Sequence, residues 1–205
     1  MNMPKNYEQT QTMGEKVEVQ EGGHQLIIYE VSETMSKNNK PMIVVKFDFA
    51  SGDTQAKLAE TTYKDDISPE KKWPNFATAR ILVEDPDGNT SRNFKTFCTS
   101  VEHSNPGFKI SWGEAFAACF RKKFVGAVFG PVENEYNGRI FTRNELRWFC
   151  AYDKAKGQKA PALKKISGNR ESVPAPTQDN FLNPDGTQKW MDIPDNADDD
   201  GLPFN

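Results

Sequence analysis

The sequence predicts a mainly β fold: one small antiparallel domain followed by a polar extension. Three observations carry that prediction. Residues 42–49 alternate strictly, with Ile43, Val45, Phe47 and Phe49 on one side and Met42, Val44, Lys46 and Asp48 on the other, the pattern of a half-buried antiparallel strand. Segments rich in β-branched and aromatic residues recur at 24–50, 77–101, 124–132 and 139–152, separated by turn-forming residues. Residues 112–124 carry an apolar stripe at helical spacing and are read as the one helix. A single helix among many strands argues against an α/β enzyme core.

Taken in order, residues 1–14 are polar and are expected to form a flexible N-terminus, with the folded domain spanning 15–153. HQLIIYEVSETMSKNNKPMIVVKFDFA, residues 24–50, reads as two strands about the polar connection SKNNKP. Residues 51–75 give no clear element. ATARILVEDPDGNTSRNFKTFCTSV, residues 77–101, reads as a second hairpin. Its DPDGN is a turn and not a calcium loop, because Gly88 stands fourth and no Glu follows at the twelfth place; NPDG at 183–186 is a turn for the same reason.

In WGEAFAACFRKKF, residues 112–124, Trp112, Phe116 and Phe120 recur every four residues with Cys119 beside them, which predicts a short amphipathic helix packed on the core. FVGAVFGPV reads as a buried strand in which Gly126 permits a bulge or a close backbone approach. The EYNG turn at 135–138 leads to a last strand over 139–152. Beyond Asp153, Lys, Pro, Ser, Gly and Gln dominate, so 154–191 reads as a linker or partly ordered extension and 192–205 as an acidic tail. Two strands, a hairpin region, one helix and two more strands match a five-stranded Greek-key barrel, the oligonucleotide- and oligosaccharide-binding (OB) fold.

Charge is unevenly spread along the chain. The net charge of −3 divides into −7 for residues 171–205, with eight acids and one base, and +4 for residues 1–170. A basic domain joined to an acidic tail points to a polyanionic partner, with the tail as a competitor for the same surface. Cys98, Cys119 and Cys150 lie too far apart in sequence for a disulfide framework or, with His24 and His103, for the close spacings of a zinc site, and are expected to be free thiols. No cofactor or metal is called for. MNMPKNYEQTQTMGEK lacks an apolar run behind basic residues, and no stretch approaches the roughly 20 apolar residues of a membrane span, so the expectation is a cytoplasmic protein without a membrane partner.

The chemistry concentrates at 136–149. In a regular strand Arg139, Phe141, Arg143, Arg147 and Phe149 share one face, interrupted by Glu145, while Ile140, Leu146, Trp148 and Cys150 share the other. A one-residue bulge would exchange the faces. Cations alternating with rings neutralise phosphates and offer stacking surfaces, and stacking needs unpaired bases, which favours single strands. Tyr136, beside the turn, joins this set. Lys37 and Lys40 in the first interstrand loop extend the footprint, as that loop grips ligand in OB-folds. Arg121, Lys122 and Lys123 either extend it or complement the helix dipole. Lys154, Lys156, Lys159, Lys164 and Lys165 can hold a backbone loosely.

Phosphate-loop, dinucleotide and nucleophile-elbow motifs are missing from the sequence, and Asp48, Asp65, Asp66 and Glu84 are scattered rather than motif-bound, so no catalytic residue is assigned.

The chain's last residues combine an acidic cluster with apolar tips: Asp198, Asp199 and Asp200, then Gly201, Leu202, Pro203, Phe204 and Asn205. Such a segment is expected to be solvated and mobile, serving as a peptide ligand or as a plug for a basic groove. DDDGLPF resembles the C-terminal tip of bacterial single-stranded DNA-binding proteins, where an Asp run, an apolar residue, Pro and Phe dock replication and repair partners. The body resembles bacteriophage single-stranded DNA-binding proteins and an allied phage family, through GGHQLIIYEVSETMSKNNKPMIVVKF, SNPGF at 104–108, and FVGAVF followed by EYNGR. The resemblance implies an OB-fold protein that coats single-stranded DNA in the bacterial host cell, with Asp198, Asp199, Asp200, Leu202, Pro203 and Phe204 docking replication or recombination proteins.

One departure is that Asn205 follows Phe204, shifting the terminal carboxylate by up to about 3.5 Å and leaving open a phage-encoded partner or self-regulation. An interaction adaptor using the tail without binding DNA, and a recombination nuclease, are the alternative readings.

Overall fold

The computed structural model describes residue 3 and residues 18–166. The expected tail and most of the expected linker lie outside the described residues. The protein is mainly β, with five strands in one open antiparallel sheet: β1 (Gly22–Met35), β2 (Pro41–Phe49), β3 (Thr78–Leu82), β4 (Phe124–Tyr136) and β5 (Arg139–Cys150), in the order β3-β2-β1-β4-β5. β1 is central because Leu26 pairs with both Phe49 of β2 and Val125 of β4. The turn at 36–40 joins β1 to β2, with Asn39 in the left-handed region at φ 55°.

The alternation read along β2 holds in space: Ile43, Val45, Phe47 and Phe49 are all buried. They meet Leu26, Ile28 and Val31 of β1, Ile81 of β3, and Val125, Ala127 and Phe129 of β4 in one cluster. Each Val, Leu, Ile or Phe among them contributes about 1.5–3 kcal/mol on burial.

Two helices stand where the sequence suggested otherwise. The second half of the expected hairpin at 77–101 is not a strand: β3 gives way to the 85–89 turn and then to α2 (Arg92–Ser104). Ser91 caps α2 by accepting from the Phe94 N–H, and Phe94, Phe97, Cys98 and Val101 recur at helical spacing to cover the core. Burial pushes the Cys98 thiol up to about 12, and all three cysteines are free.

The unassigned stretch holds α1 (Leu58–Asp65), whose start is tied down by a residue from another element. Asp48 accepts from the N–H groups of Phe49 (2.7 Å), Ala59 (2.9 Å) and Glu60 (3.0 Å). Burial raises the Asp48 carboxyl, and these bonds offset only part of that rise.

The expected helix over 112–124 is shorter than its stripe. A 3-10 turn at Gly113–Ala115 leads into one helical turn, α3 (Phe116–Cys119). Gly113 at φ 84° and Lys122 at φ 61° bracket it, since neither conformation continues a right-handed helix. Phe116 and Phe120 are core as expected, but Trp112 remains exposed while stacking on Phe116 at 5.3 Å.

The EYNG turn is a two-residue hairpin turn with Asn137 at φ 50° and Gly138 at φ 75°. The body continues past residue 153. α4 (Tyr152–Ala155) follows β5, and the first compact unit ends at Ile166. Among the described residues no helix is long and apolar enough to cross a membrane.

Candidate nucleic-acid interface

β1 pairs with β4 only as far as Phe129, whereas β4 and β5 stay paired out to Tyr136 and Arg139. Residues 131–136 and 139–145 therefore run past β1 as a two-stranded arm. On the face away from the core, Arg143 pairs across with Val132, Phe141 with Asn134, and Arg139 with Tyr136. Tyr136 is 70% exposed and Phe141 40%. The Arg143 guanidinium lies 5.9 Å from the centre of the Phe141 ring. Its Nε donates to Glu145 Oε1 at 2.7 Å, and that oxygen also accepts from Asn134 Nδ2 at 3.0 Å. Glu145 thus orients Arg143 while subtracting one charge from the row.

A bulge limits the row to three of its five expected members. Leu146 pairs with Phe129 and Trp148 with the next residue back, Val128, so Arg147 is the extra residue. Beyond it the faces exchange. Phe149 turns into the core, 5% exposed and 5.0 Å from the Phe97 ring, which corrects its placement beside Arg143. Trp148, expected alongside Leu146, instead shares the outer face with Val128. Arg147 does not join the row either, because its Nη1 donates to the carbonyls of Pro131 and Ala162, each at 3.3 Å.

The loop lysines divide. Lys37 is exposed, but Lys40 donates its Nζ to the Asp85 carbonyl at 3.0 Å and so fastens the 36–40 turn to the 85–89 turn. Arg121 and Lys122 are exposed after α3. Lys123 sits 4.7 Å above the Phe108 ring. Lys122 and Lys123 bond through their backbones to Ile28 of β1, at the opposite end of β4 from the arm. Asp198, Asp199, Asp200, Leu202, Pro203 and Phe204 lie outside the described residues.

What sequence reading missed is a strap. It comprises residues 152–166: its first part lies across the face of β4 opposite the core, where three glycines make room, and Lys164 then pairs alongside β4 at Val132. A β-carbon at Gly23 would stand 1.8 Å from the Ala155 carbonyl oxygen, one at Gly126 2.6 Å from that of Ala151, and one at Gly130 2.5 Å from the Pro161 ring. Val128 is fully buried beneath it. Gly23 donates its N–H to Gln158 (3.1 Å), Lys164 exchanges backbone bonds with Pro131 and Glu133, and the Ile166 N–H meets the Glu133 carboxylate. Lys154, Lys156, Lys159, Lys164 and Lys165 remain exposed on it, with Asp153 as its one acid. The close approach expected at Gly126 is therefore real, and its partner is this strap.

A second aromatic group is also exposed. Tyr29, the bulged residue between Ile28 and Glu30, stacks on Trp73 at 4.7 Å, and Trp73 lies 5.7 Å from Tyr63. Around it Lys46 pairs with Glu30 and Lys64 with Glu60, while Lys71 lies 5.9 Å over the Tyr63 ring, so this group too sets a cation against rings. The scattered acids do not converge. Asp48 is the cap of α1, Asp66 accepts from Ser68, and among the described residues no group of three His, Cys, Asp or Glu could hold a metal ion. His24 is buried between Asp53 (3.0 Å) and the Gln20 carbonyl (3.0 Å).

No protein-family model matches the chain, and no curated protein sequence matches it.

Proposed function

We propose that this chain is a single-stranded DNA-binding protein built on an OB-type barrel. It coats and protects unpaired DNA during phage replication or recombination, and its acidic tail docks partner proteins. The observation that carries the reading is the row Arg139, Phe141 and Arg143 on the outer face of the arm, where cations flank an exposed ring. Phosphates meet the guanidinium groups while a base stacks on Phe141, an arrangement that holds a strand without reading its sequence.

The strand order supports the fold assignment. β1 lies between β2 and β4, and α2 enters between β3 and β4, as an OB-type Greek key requires. That fold takes ligand on its β2–β3 face and with its β1–β2 and β4–β5 loops, and the arm is the β4–β5 connection.

The test is a titration of the full chain with oligonucleotides, followed by Trp fluorescence. Single-stranded DNA should bind much more tightly than duplex, with little sequence preference. Affinity should fall by about 0.7 log units per log unit of salt for each phosphate neutralised. Equal affinity for duplex would remove the stacking argument, and no binding at low salt would favour a protein adaptor.

A further inference from the structure

Resting on that reading, we infer that the bound strand runs lengthwise along β4, from the arm over the strap into a groove at the far end of the same strand. The groove is an open depression of about 600 Å³ formed by residues 104–109 with Lys123 and Phe124. That volume falls within the range that takes a nucleotide-sized ligand. Its floor holds an exposed ring, since Phe124 is 40% exposed and meets Tyr152 edge-on at 5.1 Å. Its rim carries cations: Lys123 over Phe108, and Lys109, whose side chain is 84% exposed with only a 3.6 Å approach to Glu102.

The wall is fixed in place. Asn105 donates to the carbonyls of Val101 and Phe124 and accepts the Phe124 N–H, all within 3.0 Å. Cation and ring thus recur here as on the arm, some 12 residues along the same strand.

The strap joins the two places. It begins at Tyr152, which touches Phe124 with its ring and gives its N–H to Ser104 Oγ at 2.9 Å, at the groove. It ends at Lys164 and Ile166, bonded to Pro131 and Glu133, at the root of the arm. Between those points it presents exposed lysines on the outer face. The track from Phe124 to Tyr136 is about 40 Å long at the rise of an extended strand. It holds at most about 12 nucleotides at the stacked rise of 3.4 Å, fewer when stretched, inside the range of roughly 4–16 for one such domain. This path follows one strand, whereas a path over the β2–β3 face would cross several.

The experiment compares the full chain with K109E/K123E and with K156E/K159E, using oligothymidylates of 4, 8 and 12 nucleotides. Circular dichroism checks the fold of each variant. The inference expects at least a tenfold loss of affinity for the 12-mer in both variants, and less than a twofold change for the 4-mer, which the arm alone accommodates. A 12-mer carrying one terminal 4-thiothymidine should photo-crosslink the wild-type chain at peptides containing Phe108 or Phe124.

Wild-type binding with unchanged 12-mer affinity in both variants, or crosslinks confined to β2 and β3, would overturn the path and leave the proposed function standing. A wild-type chain that binds no oligonucleotide would overturn both.

Discussion

The carbonyl of Ala155 lies so close over Gly23 that a β-carbon there would sit 1.8 Å from the oxygen. Gly23→Ala must therefore lift the strap or push β1 aside, a conflict of the overpacking kind that costs about 1–3 kcal/mol. The urea midpoint should fall, and trypsin should cut earlier at Lys154, Lys156 and Lys159, which sit on the strap. Gly157→Ala makes a control, because its backbone is not left-handed and nothing lies within 4 Å of its added carbon. If Gly23→Ala left both readouts at wild-type values, the strap would not be seated as described.

Phe141 and Phe149 lie on one strand yet should behave as opposites. Phe141→Ala should weaken single-stranded DNA binding by about 1–3 kcal/mol with little change in salt slope or stability. Arg143→Ala should instead flatten the slope by about one phosphate. Phe149→Ala opens the core against Phe97 and should cost about 3–5 kcal/mol of folding stability. Loss of fold in Phe141→Ala with an intact Phe149→Ala would mean the bulge at Arg147 is misplaced.

Asp53 links the turn after β2 to β1. Burial alone would raise its carboxyl, but bonds from the Gln55 N–H, the His24 ring and the Gln25 N–H together hold it below the ordinary carboxylate value. A depressed folded value gives stability that is present above the unfolded pKa, near 3.9, and is lost as pH falls through the folded one. Asp53→Asn should therefore cost about 1–3 kcal/mol at pH 7, with the gap from wild type closing below about pH 4. Urea midpoints at pH 3, 5 and 7 read this directly, and a gap that stayed constant would assign the loss to packing.

Charge alone predicts the effect of removing residues 192–205, which hold five Asp and no base. Deletion should raise DNA affinity at low salt by removing a competitor for the cationic row and strap, and the gain should shrink as salt rises. Phe204→Ala should lose protein partners while barely changing DNA affinity. Equal DNA affinity with and without the tail would restrict it to docking.

The sheet was legible where local pattern and tertiary role agree. Ile43 to Phe49 and the Asn137–Gly138 turn are examples, each set by its own residues. α2 was misread because TFCTSV is rich in β-branched and aromatic residues, although Ser91 and the Phe94, Phe97, Cys98, Val101 spacing carried the helical signal. α1 takes its cap from Asp48, ten residues before its first residue, so the local stretch could not reveal it. The arm's face was readable as far as Glu145, and Arg147 then shifted the alternation by one residue without any Gly or Pro to mark the place. The strap reads as a linker in composition because its anchors are glycines on β1 and β4.

Those glycines also give a way to recognise the same strapped architecture where pairwise similarity would pass over it. Gly126 and Gly130 stand four apart on one side of a strand, Gly23 sits on the neighbouring strand, and each faces a backbone or a proline ring from a segment following the last strand. Any chain that lays such a segment across its sheet meets the same geometric demand for bare α-carbons at corresponding places. A search for that spacing of glycines, coupled to a lysine-rich stretch with one proline some 30 residues downstream, finds chains that share the strapped sheet by steric necessity instead of by residue identity.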